Sequence, residues 1–463
     1  METKGTWQGK HVLVVGLARS GIAAAQLLKR CGAIVTVNDS KTREALGEAL
    51  RPLEQQDVIW HLGCGAAELL RGQDELVISP GIPDTAPFVV QAREMGIRVI
   101  GELELAASLW PGRMVAVTGT NGKTTTVSLL AQIFSDADPT RRTWAVGNIG
   151  FPFSQAVPEG TERDMAVCEC SSFQMETIEH FHPRAAALLN ITEDHLNRHG
   201  TMAEYTRLKM RIFENQQPDD FAVFNADDPA LSGLTGQVRS RVLTFSRRRE
   251  TEQGAFVRDG MVIMRLDGAE EEILPADQIY IPGPHNLENA LAAVCIARAM
   301  GVPAESVAQT LRTFRGVEHR IEFTRELDGI RWYNDSKGTN VDSTIRAVQT
   351  MTRPTVIILG GSDKHCDFTP LAREIIASGM IREAVLIGVT ANQIEDTLRR
   401  CGWDRIHRAY SLEEAVHHCR RLASPGWNVL LSPACASFDM FHDYEERGRI
   451  FKEIVMGLTG ERA

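Results

Sequence analysis

The sequence predicts an α/β protein of three domains: an N-terminal Rossmann-like unit, a central P-loop ATPase-like parallel sheet with a small β meander, and a C-terminal Rossmann-like unit. Three observations carry this. Apolar, β-branched runs alternate with helical runs along most of the chain, the pattern of βαβ units. Two of those runs break abruptly into glycine loops that open helices, after Val15 and after Thr118. From Gly329 strand and helix alternate again, with polar clusters after each strand. A chain of 463 residues holds about three domains of ordinary size. We place them at residues 1–102, 103–316 and 317–463.

Composition narrows the function classes. With 43% apolar residues the chain is globular, and a formal charge of -10 without a long basic block excludes a nucleic-acid partner. Nine cysteines without Cys-x-x-Cys spacing predict reduced thiols in a cytosol. Cys168 and Cys170 lie in an apolar run and read as strand cysteines, not as a zinc pair. The polar stretch Met1 to Lys10 is no signal peptide, and no run approaches the roughly twenty apolar residues of a membrane span. A cytoplasmic monomer is expected, with peripheral membrane contact left open.

Taken in order, His11 to Val15 predicts a strand, Gly16-Leu-Ala-Arg-Ser-Gly21 a loop, Ala23 to Arg30 a helix, and Ala33 to Val37 a second strand ending at Asn38-Asp39-Ser40. This is a βαβ opening with an acid about twenty residues past the glycine loop, which by itself suggests NAD. Ala18 and Ser20 break the Gly-x-Gly-x-x-Gly spacing, and Asp39 could equally meet a uracil edge or another ribose. Leu76 to Pro83 is a strand running into a proline-glycine turn, either a ligand edge or a plain turn.

After Trp110-Pro-Gly112 comes Met114-Val-Ala-Val-Thr-Gly-Thr-Asn-Gly-Lys-Thr-Thr-Thr126: strand, glycine loop, and a helix from about Thr124. Backbone N–H groups in such a loop converge on one spot, where the helix dipole also favours negative charge. Lys123 would reach the outer phosphates of ATP or GTP, and Thr124 would hold magnesium. The loop is shorter than the usual pattern, because Val117 stands where its first glycine belongs. Gly147-Asn-Ile-Gly150 is a turn. Met165 to Cys168 is a strand with Glu169 at its end, and Ala185 to Asn190 is another. Thr201-x-x-Glu204 reads as a capping box opening a helix from Met202 to Asn215. Runs near Val242 to Phe245, Phe256 and Met261 to Leu266 read as the meander. Pro282 to Asn289 opens an alanine-rich helix ending at Gly301, and Phe314 to Arg320 links to the third part. There Trp332-Tyr333, Thr355 to Leu359, Ala384 to Ile387 and Asn428 to Leu431 predict strands.

Glu169 has the hard oxygens a phosphate-side metal needs, or else a structural ion pair. His195 follows a strand in a polar loop, a ligand or a capped surface residue. Read by itself, Lys209 is a solvated helix residue. The motifs settle more together. Gly119-Thr-Asn-Gly-Lys-Thr-Thr, Glu169-Cys-Ser-Ser-Phe-Gln, Asn190-Ile-Thr-Glu-Asp-His-Leu-Asn-Arg-His-Gly, Gly283-x-His-Asn-x-x-Asn, His319-Arg320 and Asn334-Asp-Ser-Lys resemble the ATP-dependent Mur ligase family of peptidoglycan synthesis. They occur in family order over nearly the whole chain.

Within that family, Gly16 to Gly21 and Leu431-Ser-Pro-Ala-Cys-Ala-Ser-Phe438 are most similar to the member that joins D-glutamate to UDP-N-acetylmuramoyl-L-alanine through an acyl phosphate. Ala18 replaces the common glycine, a change that spares backbone approach. The resemblance implies ATP and two magnesium ions, with metal ligands Thr124, Glu169, His195 and Lys209, the lysine as a carbamate. It implies catalytic roles for Lys123, Glu169, His195 and Lys209. ATP would be bound by Gly119, Thr120, Asn121, Gly122, Lys123, Thr124, Thr125, Asn286, Asn289, Arg320 and Asp335. The UDP-substrate would meet Arg19, Ser20, Asp39, Ser40, Ser79 and Asn148. D-glutamate would meet Lys337, Thr339, Lys364, Ser437 and Phe438. Ligands divided among domains imply closure by rotation of residues 317–463. Other readings stay open: a related ligase with a different amino acid, a P-loop switch or motor, and an NAD dehydrogenase.

Overall fold

The computed structural model describes residues 7–362 and 366–460, the Asn197 side chain excepted. By its packing the chain divides into two compact units, residues 1–280 with 286–314, and residues 281–285 with 315–463.

The first unit carries two sheets. One holds β1 (His11–Val15), β2 (Ile34–Asp39), β3 (Ile59–Leu62), β4 (Glu75–Ile78) and β5 (Arg98–Gly101), all parallel in the order β3-β2-β1-β4-β5. Val12 to Val15 are buried on both faces, which is why this strand reads as an unbroken apolar run. The chain reverses direction across the sheet between β1 and β4, and ligands of open α/β sheets sit outside the carboxyl ends at such a point. Here the Gly16 loop and Ser79 meet, the Ser79 hydroxyl donating to the Gly16 carbonyl at 2.6 Å. A side chain at Gly21 would lie 1.9 Å from that same carbonyl oxygen, so the helix Arg19–Arg30 can start only on a glycine there.

The second sheet holds β6 (Arg113–Thr118), β7 (Thr143–Gly147), β8 (Met165–Glu169), β9 (Ala185–Leu188), β10 (Phe221–Asn225), β11 (Arg241–Ser246), β12 (Gly254–Arg258), β13 (Met261–Leu266) and β14 (Ala269–Pro275). Their order is β14-β13-β12-β11-β10-β9-β6-β8-β7. The meander differs from the expectation. β11, which contains Val242 to Phe245, and β12 both run parallel to the strand before them, and only β12, β13 and β14 form the antiparallel ribbon. The ribbon continues the main sheet because β12 keeps pairing with β11. Two buried acids tie the segment after β5 into this second layer. Glu104 accepts the backbone N–H groups of Glu179, His180 and Phe181, and Glu102 accepts that of Ser154.

The second unit holds β15 (Glu322–Leu327), β16 (Ile330–Asn334), β17 (Thr355–Leu359), β18 (Ile381–Leu386), β19 (Ile406–Arg408) and β20 (Asn428–Leu431), ordered β15-β16-β20-β17-β18-β19. All neighbours are parallel except β15 and β16. Its switch point lies between β17 and β20, where the loops after Leu359 and Leu431 emerge.

Candidate active site

The loop Gly119 to Gly122 leaves the carboxyl end of the buried strand β6 and opens the helix Lys123–Ala137. The helix starts one residue before the expected Thr124. Gly122 has φ +88, a left-handed conformation that favours glycine, and it packs against Asn289, whose side-chain oxygen would be 2.3 Å from any Cβ and would have to shift. Asn190 holds the loop from the other side. Its amide donates to the Asn121 carbonyl at 3.0 Å and its side-chain oxygen accepts the Asn121 N–H at 2.8 Å.

Two lysines converge on this loop. Lys123 Nζ donates to the Gly119 and Thr120 carbonyls at 2.8 and 2.7 Å, and Lys209 Nζ donates to the Gly119 carbonyl at 2.9 Å. Lys209 is 1% exposed, and burial, followed by the nearby Lys123 charge, pushes its amine well below the usual lysine range. It lies over the Tyr205 ring at 4.6 Å, and the Tyr205 hydroxyl meets Thr120 Oγ1 at 3.3 Å. The helix that presents it is shorter than expected. It runs Met202–Met210 and tightens into a 3-10 turn at Arg211–Phe213. Only half of the capping box forms: Thr201 accepts the Glu204 N–H, while the Glu204 carboxylate turns to Arg207 and leaves the Thr201 N–H to His199. The guanidinium offers a charge-assisted pair that a neutral N–H cannot match.

Glu169 ends β8, opposite Val117 of β6 and Gly147 of β7. It is 2% exposed; Oε1 accepts from the Asn148 amide at 3.0 Å, and Oε2 is buried without a hydrogen-bond partner among the described residues. A buried carboxylate oxygen with no donor, beside a phosphate loop, fits a hard divalent cation. His195 takes a left-handed backbone (φ 55), and its ring packs on Phe173 at 4.8 Å between centroids. Beside the phosphate loop the Asn289 side-chain amide donates a hydrogen bond to the Asn286 side-chain oxygen at 3.2 Å.

At the first sheet's edge both Asp39 oxygens are engaged, by the N–H groups of Leu17 and Lys41 at 2.8 and 2.9 Å. Asp39 therefore braces the glycine loop it follows. Arg19 starts the helix after that loop, and its guanidinium comes within 3.8 Å of the Cβ position of Gly150. Asn148, expected at the substrate border, is held by Glu169.

In the second unit Asp335 is 1% exposed and accepts from Ser432 Oγ at 2.6 Å and from the Ile321 N–H at 3.2 Å. Arg320 donates to Ser343 Oγ at 2.9 Å. Lys337 lies over the Tyr444 ring at 5.3 Å, Thr339 donates its N–H to the Lys337 carbonyl, and Phe438 is 73% exposed beside buried Ser437. Lys364 falls outside the described residues. Glu318, His319 and Glu322 come within metal-binding distance of one another, but Lys452 already donates to both carboxylates at 2.7 and 2.8 Å.

A MurD-like N-terminal domain of Mur ligases matches residues 10–101, the Mur ligase middle domain residues 117–297, and the Mur ligase glutamate ligase domain residues 319–435. The chain is 45% identical over 97% of its length to the UDP-N-acetylmuramoylalanine–D-glutamate ligase of Thermoanaerobacter pseudethanolicus, of which it covers 99%. It is 46% identical to the protein of the same name from Pelotomaculum thermopropionicum, over 97% of this chain and 98% of that one. The chain belongs to the Mur ligase family. Two solved Mur ligases of Thermotoga maritima share its fold. MurC aligns with a TM-score of 0.60 at 21% identity, covering 96% of this chain and 99% of that one. MurF in complex with ADP aligns at 0.58 and 15%, covering 98% and 97%.

Three residues of this Mur ligase escaped the sequence reading. Tyr205 lies four positions before Lys209 on one helix face, a spacing that could have flagged it. Tyr444 and Arg447 lie on a helix with mostly charged neighbours and gave no such signal.

The second unit also carries two opposed titrations. Burial raises the Asp335 carboxyl to about 6, and burial, then Arg320 and Arg346, lowers the His285 imidazole to about 3. A raised acid contributes stability that is full below its unfolded value and is lost as pH rises through about 6, on the order of 3 kcal/mol. A depressed histidine contributes stability that is full above its unfolded value and is lost as pH falls toward about 3. In urea unfolding, the stability of the wild type relative to Asp335→Asn should therefore fall as pH rises from 4 to 7, and its stability relative to His285→Gln should fall as pH drops toward 3; parallel wild-type and variant curves would contradict the burial argument.

Proposed function

We propose that this Mur ligase is a cytoplasmic, ATP-dependent ligase that joins D-glutamate to UDP-N-acetylmuramoyl-L-alanine, releasing ADP and phosphate in peptidoglycan precursor synthesis. The observation that carries the reading is the phosphate loop with Lys123 and Lys209 gathered on the Gly119 carbonyl. The full-length identity to ligases of that name supports the substrate pair. No helix among the described residues is long and apolar enough to cross a membrane.

A carboxylate resists attack by an amine because of its charge and resonance, so the L-alanyl carboxylate first takes the terminal phosphoryl group of ATP. In this reading the loop N–H groups and the start of the helix Lys123–Ala137 hold the phosphates, and Lys123 leaves its carbonyl partners to follow the transferring group. Thr124 and Glu169 would hold one magnesium ion, and His195 with a carbamylated Lys209 a second. Bound there, the ions would offset charge on the phosphoryl group. The depressed Lys209 amine suits carbamylation, which needs a neutral nitrogen. The Gly16 loop, Arg19, Ser20, Asp39, Ser40, Ser79 and Asn148 would take the nucleotide sugar. Arg320, Asp335, Asn286 and Asn289 would serve ATP, and Lys337, Thr339, Lys364, Ser437 and Phe438 the incoming amino acid. Its amine then displaces phosphate through a tetrahedral intermediate.

ADP release from UDP-N-acetylmuramoyl-L-alanine, measured across a panel of amino acids, tests this. Release should require the nucleotide sugar and D-glutamate together. Hydrolysis that continues without any amino acid would favour a nucleotide switch, and preference for another amino acid would reassign the specificity.

A further inference from the structure

The segment that presents His195 is tied to the first sheet by one side chain. Arg198 follows His195 by three residues, and its backbone N–H donates to the His195 carbonyl at 3.0 Å. Its side chain is only 12% exposed and divides its donors among three residues. Nε and Nη2 donate to the two carboxylate oxygens of Glu176 at 3.0 and 2.6 Å. Nη1 and Nη2 also donate to the Gly81 and Ile82 carbonyls at 3.1 and 2.9 Å, in the turn that follows Ser79. Glu176 closes the loop by accepting the Asp84 N–H at 3.3 Å.

The flat face of the same group rests on the Phe173 ring at 4.4 Å. Phe173 in turn packs on His195 and His199, at 4.8 and 5.4 Å between centroids. His199 stacks on Tyr205 at 5.5 Å, and Tyr205 reaches Thr120 of the phosphate loop. Contacts thus run without a break from the Gly81 turn, through Arg198 and Phe173, to the His195 ring and the phosphate loop. Neutralising Glu176 needs only a cation. Gripping two carbonyls and a ring face at once needs the planar fork of arginine.

We infer that Arg198 is a positioning residue that holds the Gly81–Ile82 turn and the His195 ring in one fixed relation, so that the nucleotide-sugar side and the phosphate side of the reaction stay in register. The inference rests on the proposed reading of those two sides. Arg198 touches no reacting atom; it acts through Phe173 and the turn.

Steady-state kinetics of the full-length Arg198→Lys and Arg198→Ala variants test it, with thermal unfolding as the check on folding. Arg198→Lys keeps the charge on Glu176 and should unfold near the wild-type temperature. Its KM for UDP-N-acetylmuramoyl-L-alanine and its half-saturating magnesium concentration should each rise about tenfold, while the KM for D-glutamate stays unchanged. Arg198→Ala should show the same pattern, larger. A folded Arg198→Lys with wild-type constants would overturn the inference, as would an equal rise in the D-glutamate KM, which marks general loosening. Should the wild type itself release no ADP, the functional reading fails and the clamp is judged by hydrogen exchange instead. Faster exchange of residues 80–84 and 191–199 together in Arg198→Lys supports it, and unchanged exchange in either segment refutes it.

Discussion

Lys209→Ala should lower turnover by about 10²- to 10³-fold, the size expected when one preorganised charge-stabilising group leaves an enclosed site. The ammonium form of this side chain is out of place where it stands. It is 1% exposed, the acceptor it donates to is a neutral carbonyl, and it shares that carbonyl with a second lysine. Burial and Lys123 both drive it toward the neutral amine, which is the form that adds carbon dioxide. Carbamylation would replace an unfavourable buried cation with an anion facing Lys123. If that is the working state, small carboxylates such as acetate or formate should restore part of the Lys209→Ala activity by filling the same space with the same charge. Isotopically labelled bicarbonate should give a carbamate carbonyl resonance in the wild type and none in the variant. Lowering the pH should erase that resonance, because protonation removes the attacking nitrogen. Full activity in Lys209→Ala, with no resonance in the wild type, would remove the lysine from the mechanism.

Much of this arrangement was legible in the sequence because it is local. His11 to Val15, Thr355 to Leu359 and Asn428 to Leu431 are strands over the expected residues, since buried parallel strands read as unbroken apolar runs. The phosphate loop was legible for the same reason: glycine, lysine and the helix start are contiguous. What the sequence could not show was competition between partners. Thr201 and Glu204 have the spacing of a reciprocal cap, yet a guanidinium three residues on outbids a backbone N–H for the carboxylate. Strand direction was hidden too, for an alternating run such as Arg241 to Ser246 is the same whether its neighbour runs parallel or not. Lys209 shows the widest gap. On a helical wheel it is one more solvated lysine; the resemblance implied a carbamylated metal ligand there, and its burial was not foreseen.

Arg447→Ala should destabilise the second unit by about 3–5 kcal/mol, the cost of removing one member of a fully buried polar network. Arg447 is 0% exposed, and burial pulls its guanidinium down to about 10. That penalty is offset by five hydrogen bonds to two separate loops: to Ser336 Oγ at 2.9 Å and the Ser336 carbonyl at 2.7 Å, and to the carbonyls of Cys435 and Ala436 at 3.2 to 3.4 Å. The loops it joins carry Lys337 and Thr339 on one side and Ser437 and Phe438 on the other. Without the guanidinium, the buried Ser336 and Cys435 carbonyls lose their donors, while Ala436 keeps the Ser362 N–H, and the two loops lose their common anchor. Arg447→Met fills the volume but satisfies no carbonyl, so it should recover only part of the stability. Arg447→Lys keeps one charge-assisted contact and should fall between. Urea unfolding of the three variants gives the order, and the KM for D-glutamate should rise in each folded variant while that for the nucleotide sugar holds. If Arg447→Met proves as stable as the wild type with an unchanged D-glutamate KM, packing rather than hydrogen bonding holds these loops together.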